Sequence, residues 1–139
     1  MNTILFVCVH NAGRSQMAEA FTNHIAREKG LAVRGVSAGT VAGERINPMA
    51  EQVMEEAGVP MTGQYPKQIT QEMADSADRI IGMGCGVDAE ACPAKFLLAE
   101  DWGLDDPAGQ PIEKVREIRD QIRERVEATL AEMEHGHGR

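Results

Sequence analysis

The chain has 139 residues, 42% hydrophobic and 26% charged, which suits one globular domain with a core of its own. Acidic residues outnumber basic ones 22 to 14, a formal net charge of -8. That balance argues against a nucleic-acid or anionic-membrane surface, and any anion must be bound by local chemistry against a repelling field.

The opening "MNTILFVCV" lacks a basic leader and a cleavage site, and reads as a first strand rather than a signal peptide. No stretch approaches the ~18–20 apolar residues of a membrane span. A cytoplasmic location is expected, where thiols stay reduced and cysteines are reactive or redox-cycling rather than staples. The three cysteines include no C-x-x-C pair, so a zinc site is poorly supported and no metal is expected. Thr3 to Val9 is a continuous apolar run, the pattern of a strand buried on both faces. Arg14 to Lys29 has helical spacing through Met17, Phe21 and Ile25, with Gly30 as its stop. Ala32 to Ala38 predicts a second strand. Asn47 caps a helix with Pro48 in its first turn, running through Met49, Val53 and Met54 to stop near Gly58. Thr70 caps a short helix ending near Ala77, and strands follow at 79–83 and 94–99. From Pro111, Ile112, Val115, Ile118, Ile122, Val126, Leu130 and Met133 recur every three or four residues, a long amphipathic helix. Residues 1–134 form a single domain, and 135–139 read as a flexible tail in which His135 and His137 bind nothing. The eight methionines read as core filler.

Strands alternating with helices indicate a parallel α/β sheet with right-handed crossovers. Ligands of such sheets sit beyond the carboxyl ends of the strands. Cys8 lies at one such end and Cys85 just after another. Between Cys8 and the first helix, Ala12 and Gly13 let the backbone curl so that its amides converge with those of the helix's first turn. This is an anion cradle of Val9, His10, Asn11, Ala12, Gly13, Arg14 and Ser15, and Arg14 adds a fork of donors for a tetrahedral oxyanion. A thiol at its centre is acidified, so Cys8 reads as a thiolate nucleophile with Ser15 as a hydrogen-bond donor to it. Asn11 tolerates a left-handed turn and braces the loop. The competing reading is a buried core cysteine and a surface arginine; placement between strand and helix favours the catalytic one. Displacement of an oxyanion also needs a proton for the leaving oxygen, and "WGLDDPAG" offers carboxyls on a proline-stiffened loop, with Trp102 as its packing anchor.

The stretches "FVCVHNAGRSQMAEAF", "SAG" at 37–39, "CGVDAEACP" at 85–93 and "EDWGLDDPAG" at 100–109 resemble the low-molecular-weight protein tyrosine phosphatase superfamily. Within it they are most similar to the thioredoxin-coupled arsenate reductases. The likeness covers nearly the whole chain. It implies a three-layer α/β fold with a four-stranded parallel sheet, order 2-1-3-4, flanked by helices. It assigns the acid to the aspartate before proline, Asp106, with Asp105 as fallback. The chain departs from the commonest phosphatase loop in having His10 for Gly and Gly13 for Cys. Ala108 stands where phosphatases carry an aromatic residue, which disfavours a phosphotyrosine pocket.

Cys85 and Cys92 then suggest electron chemistry. Cys8 attacks arsenate, Cys85 attacks Cys8 as arsenite leaves, and Cys92 resolves Cys85 into a disulfide that thioredoxin reduces. Were 85–92 helical, the two Cα atoms would stand ~10.5 Å apart, beyond disulfide reach. A change of conformation on oxidation is expected there, eased by Gly84 and Gly86. The alternatives are a phosphatase of phosphotyrosine or small phosphomonoesters, a reductase using mycothiol or glutathione, and a non-catalytic anion sensor. No tightly bound cofactor is expected. Asn11, Glu19 and Ser37 match the side chains that bind potassium in some family members, with the Lys67 ammonium as a substitute for that cation. Phosphate or sulfate would mimic the substrate, and a monomer is expected.

Overall fold

The computed structural model describes residues 2–83 and 100–137. Along them run β1 (Asn2–Cys8), α1 (Arg14–Lys29), β2 (Val33–Gly39), α2 (Pro48–Glu56), α3 (Gln71–Ser76), β3 (Arg79–Gly82), β4 (Glu100–Asp101) and α4 (Ile112–His137). The elements expected within these residues are present, with most ends moved by only a residue or two. The fourth strand expected at 94–99 lies outside the described residues, as do Cys85 and Cys92; β4 begins immediately after it. α4 continues to His137, into the segment expected as a flexible tail. The apolar period ends at Met133, but extending an existing helix fixes one residue per bond gained and needs no packing partner.

β1 is an inner strand, parallel to β2 on one side and to β3 on the other, and β4 is parallel to β3 on its far side. The order β2-β1-β3-β4 is the one the resemblance implies. A strand so placed is covered on both faces, which explains its unbroken apolar run. Ile4 and Phe6 point into the larger core with Met17, Phe21, Val53, Met54, Ile118 and Ile122. Leu5 and Val7 point the other way, to Ala38 and Ile69, with Met73 packed against them. Helices α1, α2 and α4 therefore form one layer, the sheet the second, and α3 lies on the third.

Local chemistry sets the helix ends. Gly30, in the left-handed region at φ 65°, closes α1. Asn47 accepts from the Met49 amide at 2.9 Å to open α2, and Thr70 accepts from the Met73 amide at 3.1 Å to open α3. A two-bond Arg116–Glu56 pair, 3.0 and 2.9 Å, ties α4 to α2. No helix among the described residues is long and apolar enough to cross a membrane. The carboxyl ends of β1, β3 and β4 open on one side, and the site lies there.

Candidate active site

The loop from Cys8 to Gly13 has its carbonyls pinned outward. Those of Cys8, Val9, His10 and Ala12 accept from the amides of Thr40, Val41, Gly43 and Asn47 at 2.8–3.0 Å. The Asn11 carbonyl accepts from Gln16 Nε2 at 3.0 Å, and that of Gly13 from the Met17 amide at 3.0 Å. With its oxygens held away, the loop is left to present N–H groups to its concave side, the geometry that binds anions. α1 reinforces this: unlike α2 and α3, it opens without a side-chain cap and without an acidic residue in its first turn. Asn11 takes the left-handed conformation, φ 54°, as expected. Gly39 at the end of β2 makes the approach possible, because a Cβ there would lie 2.5 Å from the Val9 oxygen and 3.0 Å from the Asn11 nitrogen.

The concave side opens into a cavity of about 430 Å³, with Cys8, Gly13 and Arg14 on one wall and Asp105 to Ala108 on the other. Cys8 is buried. Arg14, only 4% exposed, bridges both walls. Its Nη1 donates to the Leu104 carbonyl at 2.6 Å and the Met83 carbonyl at 3.3 Å, and its Nη2 lies 3.8 Å from Asp106 Oδ2. Its Nε meets no acceptor among the described residues. A buried cationic N–H without a partner is costly, and an anion oxygen in the cavity would supply one. His10 also lines the cavity; its Nδ1 lies 3.1 Å from the Val41 carbonyl. A carbonyl only accepts, so Nδ1 carries the hydrogen in this contact.

The opposite wall is hung from β4. The Trp102 amide donates to the Gly82 carbonyl at 2.9 Å and its ring packs on Phe6, centroids 5.6 Å apart, anchoring the loop as expected. Pro107 is buried against Gly13; a Cβ on Gly13 would lie 3.0 Å from Pro107 Cγ. The two aspartates are distinguished by their partners. Asp105 is held by Lys114 at 2.9 Å, and that hydrogen bond and charge keep its carboxyl below the usual aspartate range. Asp106 faces Arg14, and its Oδ1 accepts from the Ala108 amide at 2.9 Å. Among the described residues that line the cavity there is no Phe, Tyr or Trp, and Ala108 offers only a methyl group.

Beneath the loop, Glu19 accepts from the Ser37 hydroxyl at 2.6 Å and lies 3.5 Å from Lys67 Nζ, while the Lys67 amide donates to Asn11 Oδ1 at 2.9 Å. The expected cluster of Asn11, Glu19, Ser37 and Lys67 is therefore assembled, with the ammonium inside it. No group of three or more His, Cys, Asp or Glu that could hold a metal occurs among the described residues. The sequence reading passes over Gln16, Gln64, Lys114 and the Gly13–Pro107 contact. None of them carries a local signal, because each depends on contacts between separate segments of the sequence.

The model of the low molecular weight phosphotyrosine protein phosphatase family matches residues 3–137. The chain is 37% identical over 134 residues to the glutaredoxin arsenate reductase of Synechocystis sp., covering 96% of this chain and 99% of that one. An arsenate reductase solved in its phosphate-binding state superposes with a TM-score of 0.82 at 38% identity, covering 95% of this chain and 98% of that one. The thioredoxin-dependent arsenate reductase of Corynebacterium glutamicum does so with a TM-score of 0.78 at 32% identity, over 98% of this chain and 63% of that one. The matched span takes in the cradle, the loop from Trp102 to Ala108 and nearly all of the described sheet, and the chain belongs to the low molecular weight phosphotyrosine protein phosphatase family.

Proposed function

We propose that the chain reduces arsenate to arsenite, with Cys8 as nucleophile, Asp106 as acid and Cys85 and Cys92 as the electron relay. One observation carries the reading: a chain with this anion cradle holds two further cysteines and is 37% identical over 96% of its length to an arsenate reductase. A hydrolytic phosphatase needs only Cys8.

The amides of residues 9–15 and the Arg14 guanidinium receive the oxyanion and favour the Cys8 thiolate. Cys8 Sγ attacks arsenic, and an arsenic–oxygen bond breaks as Asp106 delivers a proton, so the oxygen leaves as water and arsenic remains pentavalent. Asp105 is the poorer donor because Lys114 holds it ionised. The Cys85 thiolate then attacks Cys8 Sγ. The sulfur–arsenic electron pair goes to arsenic, which leaves as arsenite, and a Cys8–Cys85 disulfide remains. Cys92 attacks Cys85 and frees Cys8, and a dithiol carrier returns two electrons to the Cys85–Cys92 disulfide. Thioredoxin is the carrier favoured here, as for the Corynebacterium relative; the name of the Synechocystis relative makes glutaredoxin the second arm of the test. The enzyme acts as a cytoplasmic monomer without a tightly bound cofactor, and Lys67 stands in the position of a potassium ion.

The test is arsenite production from arsenate with thioredoxin, thioredoxin reductase and NADPH, wild type beside Cys8→Ser, Cys85→Ser and Cys92→Ser. Turnover in the wild type alone supports the relay. Turnover only with glutaredoxin and glutathione or with mycothiol, surviving Cys92→Ser, would replace the relay by transfer to a small thiol. Hydrolysis of an aryl phosphate that depends on Cys8, with no arsenate reduction by any donor, would make the chain a phosphatase.

A further inference from the structure

Gln16 is wholly buried in the first turn of α1, yet the reaction above gives it no part. Every polar atom of its amide is engaged. Nε2 turns its two hydrogens to three acceptors, the Asn11 carbonyl at 3.0 Å, Asn11 Oδ1 at 2.9 Å and the Tyr65 carbonyl at 2.8 Å, so that one hydrogen is shared between two of them. Oε1 accepts from Gln64 Nε2 at 2.7 Å, which also reaches the Gln16 carbonyl at 3.0 Å. The orientation is forced, because carbonyls only accept and so the nitrogen of Gln16 must face Asn11 and Tyr65.

That fixes the next amide in turn. Asn11 Oδ1 receives Gln16 Nε2 and the Lys67 N–H at 2.9 Å, and a backbone N–H only donates. Asn11 Nδ2 must then face Ser15, where it donates to Oγ at 2.7 Å. With its oxygen serving as acceptor, the Ser15 hydroxyl keeps its hydrogen to give. The same contacts hold Asn11 in its left-handed conformation at the turn of the cradle.

We infer that Gln16, braced by Gln64, is a positioning residue that sets the acidity of the Cys8 thiol by fixing Asn11 so that the Ser15 hydroxyl hydrogen is directed to the thiolate. The inference rests on the reading of Cys8 as nucleophile. It separates two roles of the first turn of α1: Arg14 meets the substrate, while Gln16 holds the loop from behind.

The test uses the full chain carrying Cys85→Ser and Cys92→Ser, which leaves Cys8 as its one thiol. Alkylation by iodoacetamide is followed from pH 4 to 10 with and without Gln16→Met, which keeps length and apolar volume but removes the donors. With Gln16 present, the midpoint should fall well below the ordinary cysteine value of about 8.5. Gln16→Met should raise it, lowering the rate at pH 6 by about threefold or more, while the high-pH plateau stays within about twofold. A purely structural role would lower the melting temperature and leave the midpoint in place. A depressed midpoint that Gln16→Met does not move overturns the role of Gln16 alone; a midpoint of about 8.5 with Gln16 present overturns the nucleophile reading itself. Should Gln16→Met fail to fold, the half-buried Gln64→Met decides. A smaller rise of the same sign supports the role of Gln16, and an unmoved midpoint overturns it.

Discussion

Replacing Gly39 by alanine should disable the site by moving backbone. The added Cβ would lie 2.5 Å from the Val9 oxygen and 3.0 Å from both the Asn11 nitrogen and the His10 carbonyl carbon. Carbon and oxygen settle at about 3.3 Å or beyond, so the two must separate by about 0.8 Å. All three neighbours are main-chain atoms, and no side-chain rotation relieves the contact. β2 resists, since Gly39 donates to the Lys67 carbonyl at 2.8 Å and accepts from the Ile69 amide at 2.9 Å. The cradle must therefore yield, pulling on the bonds that hold its carbonyls outward. Overpacking of this kind costs about 1–3 kcal/mol, and a displacement near 1 Å costs on the order of 10²-fold in rate. Steady-state turnover and phosphate binding by calorimetry would both be measured, beside a thermal melt. Wild-type turnover in Gly39→Ala would refute the reasoning. Gly35→Ala is the control: its Cβ would meet the Thr22 side chain at 2.9 Å, far from the cradle, so stability should fall and turnover of the folded fraction should not.

Asp106→Asn should lower single-turnover loss of the Cys8 thiol on arsenate by about 10²–10⁴-fold, whereas Asp105→Asn should cost less than about tenfold; equal losses would leave the acid unassigned. Lys67→Met should leave the Glu19 carboxylate with Ser37 as its one partner among the described residues, destabilising the chain by about 1–2 kcal/mol, and potassium salts should restore the melting temperature better than sodium salts. The Arg116 hydrogen bond holds Glu56 below its ordinary value of 4.5. Its contribution to folding is then complete above that value and lost as pH falls through the lower folded-state value. The melting temperature should drop in that acid range, and Glu56→Gln should flatten the drop.

The stretch from Phe6 to Phe21 was legible because strand, loop and helix start are contiguous, so one run of residues specifies how Cys8, the cradle and Arg14 meet. The same holds for Asn47 and Thr70, which cap the helices they precede. What remained hidden depends on which distant segments touch. Nothing local in "SAG" says that Gly39 must lack a side chain; that follows only from β2 lying beside β1 in a register that sets Gly39 opposite Cys8. Asp105 and Asp106 are indistinguishable in "LDDP", and it is Lys114, one turn into α4, that separates them. Gln16 looked like an ordinary helix residue because its partners, Gln64 and Tyr65, arrive from 48 and 49 residues away. The end of α4 differed for the opposite reason: the apolar period that marked the helix stops before the backbone ladder does.

The cradle also answers how a chain of net charge -8 receives an anion. Among the described residues, three carboxylates around the loop are each set against a cation: Glu19 lies 3.5 Å from Lys67, Asp105 2.9 Å from Lys114 and Asp106 3.8 Å from Arg14. Arg14, Lys67 and Lys114 thus leave little net negative charge around the loop, and the pinned carbonyls and uncapped start of α1 tilt the remainder positive. The closest pair holds Asp105 to Lys114, and the longest leaves Asp106 beside Arg14, the side chain that also lines the cavity. The 3.8 Å contact to an exposed carboxylate holds Arg14 only weakly, so an entering oxyanion can take the guanidinium without a buried ion pair having to break.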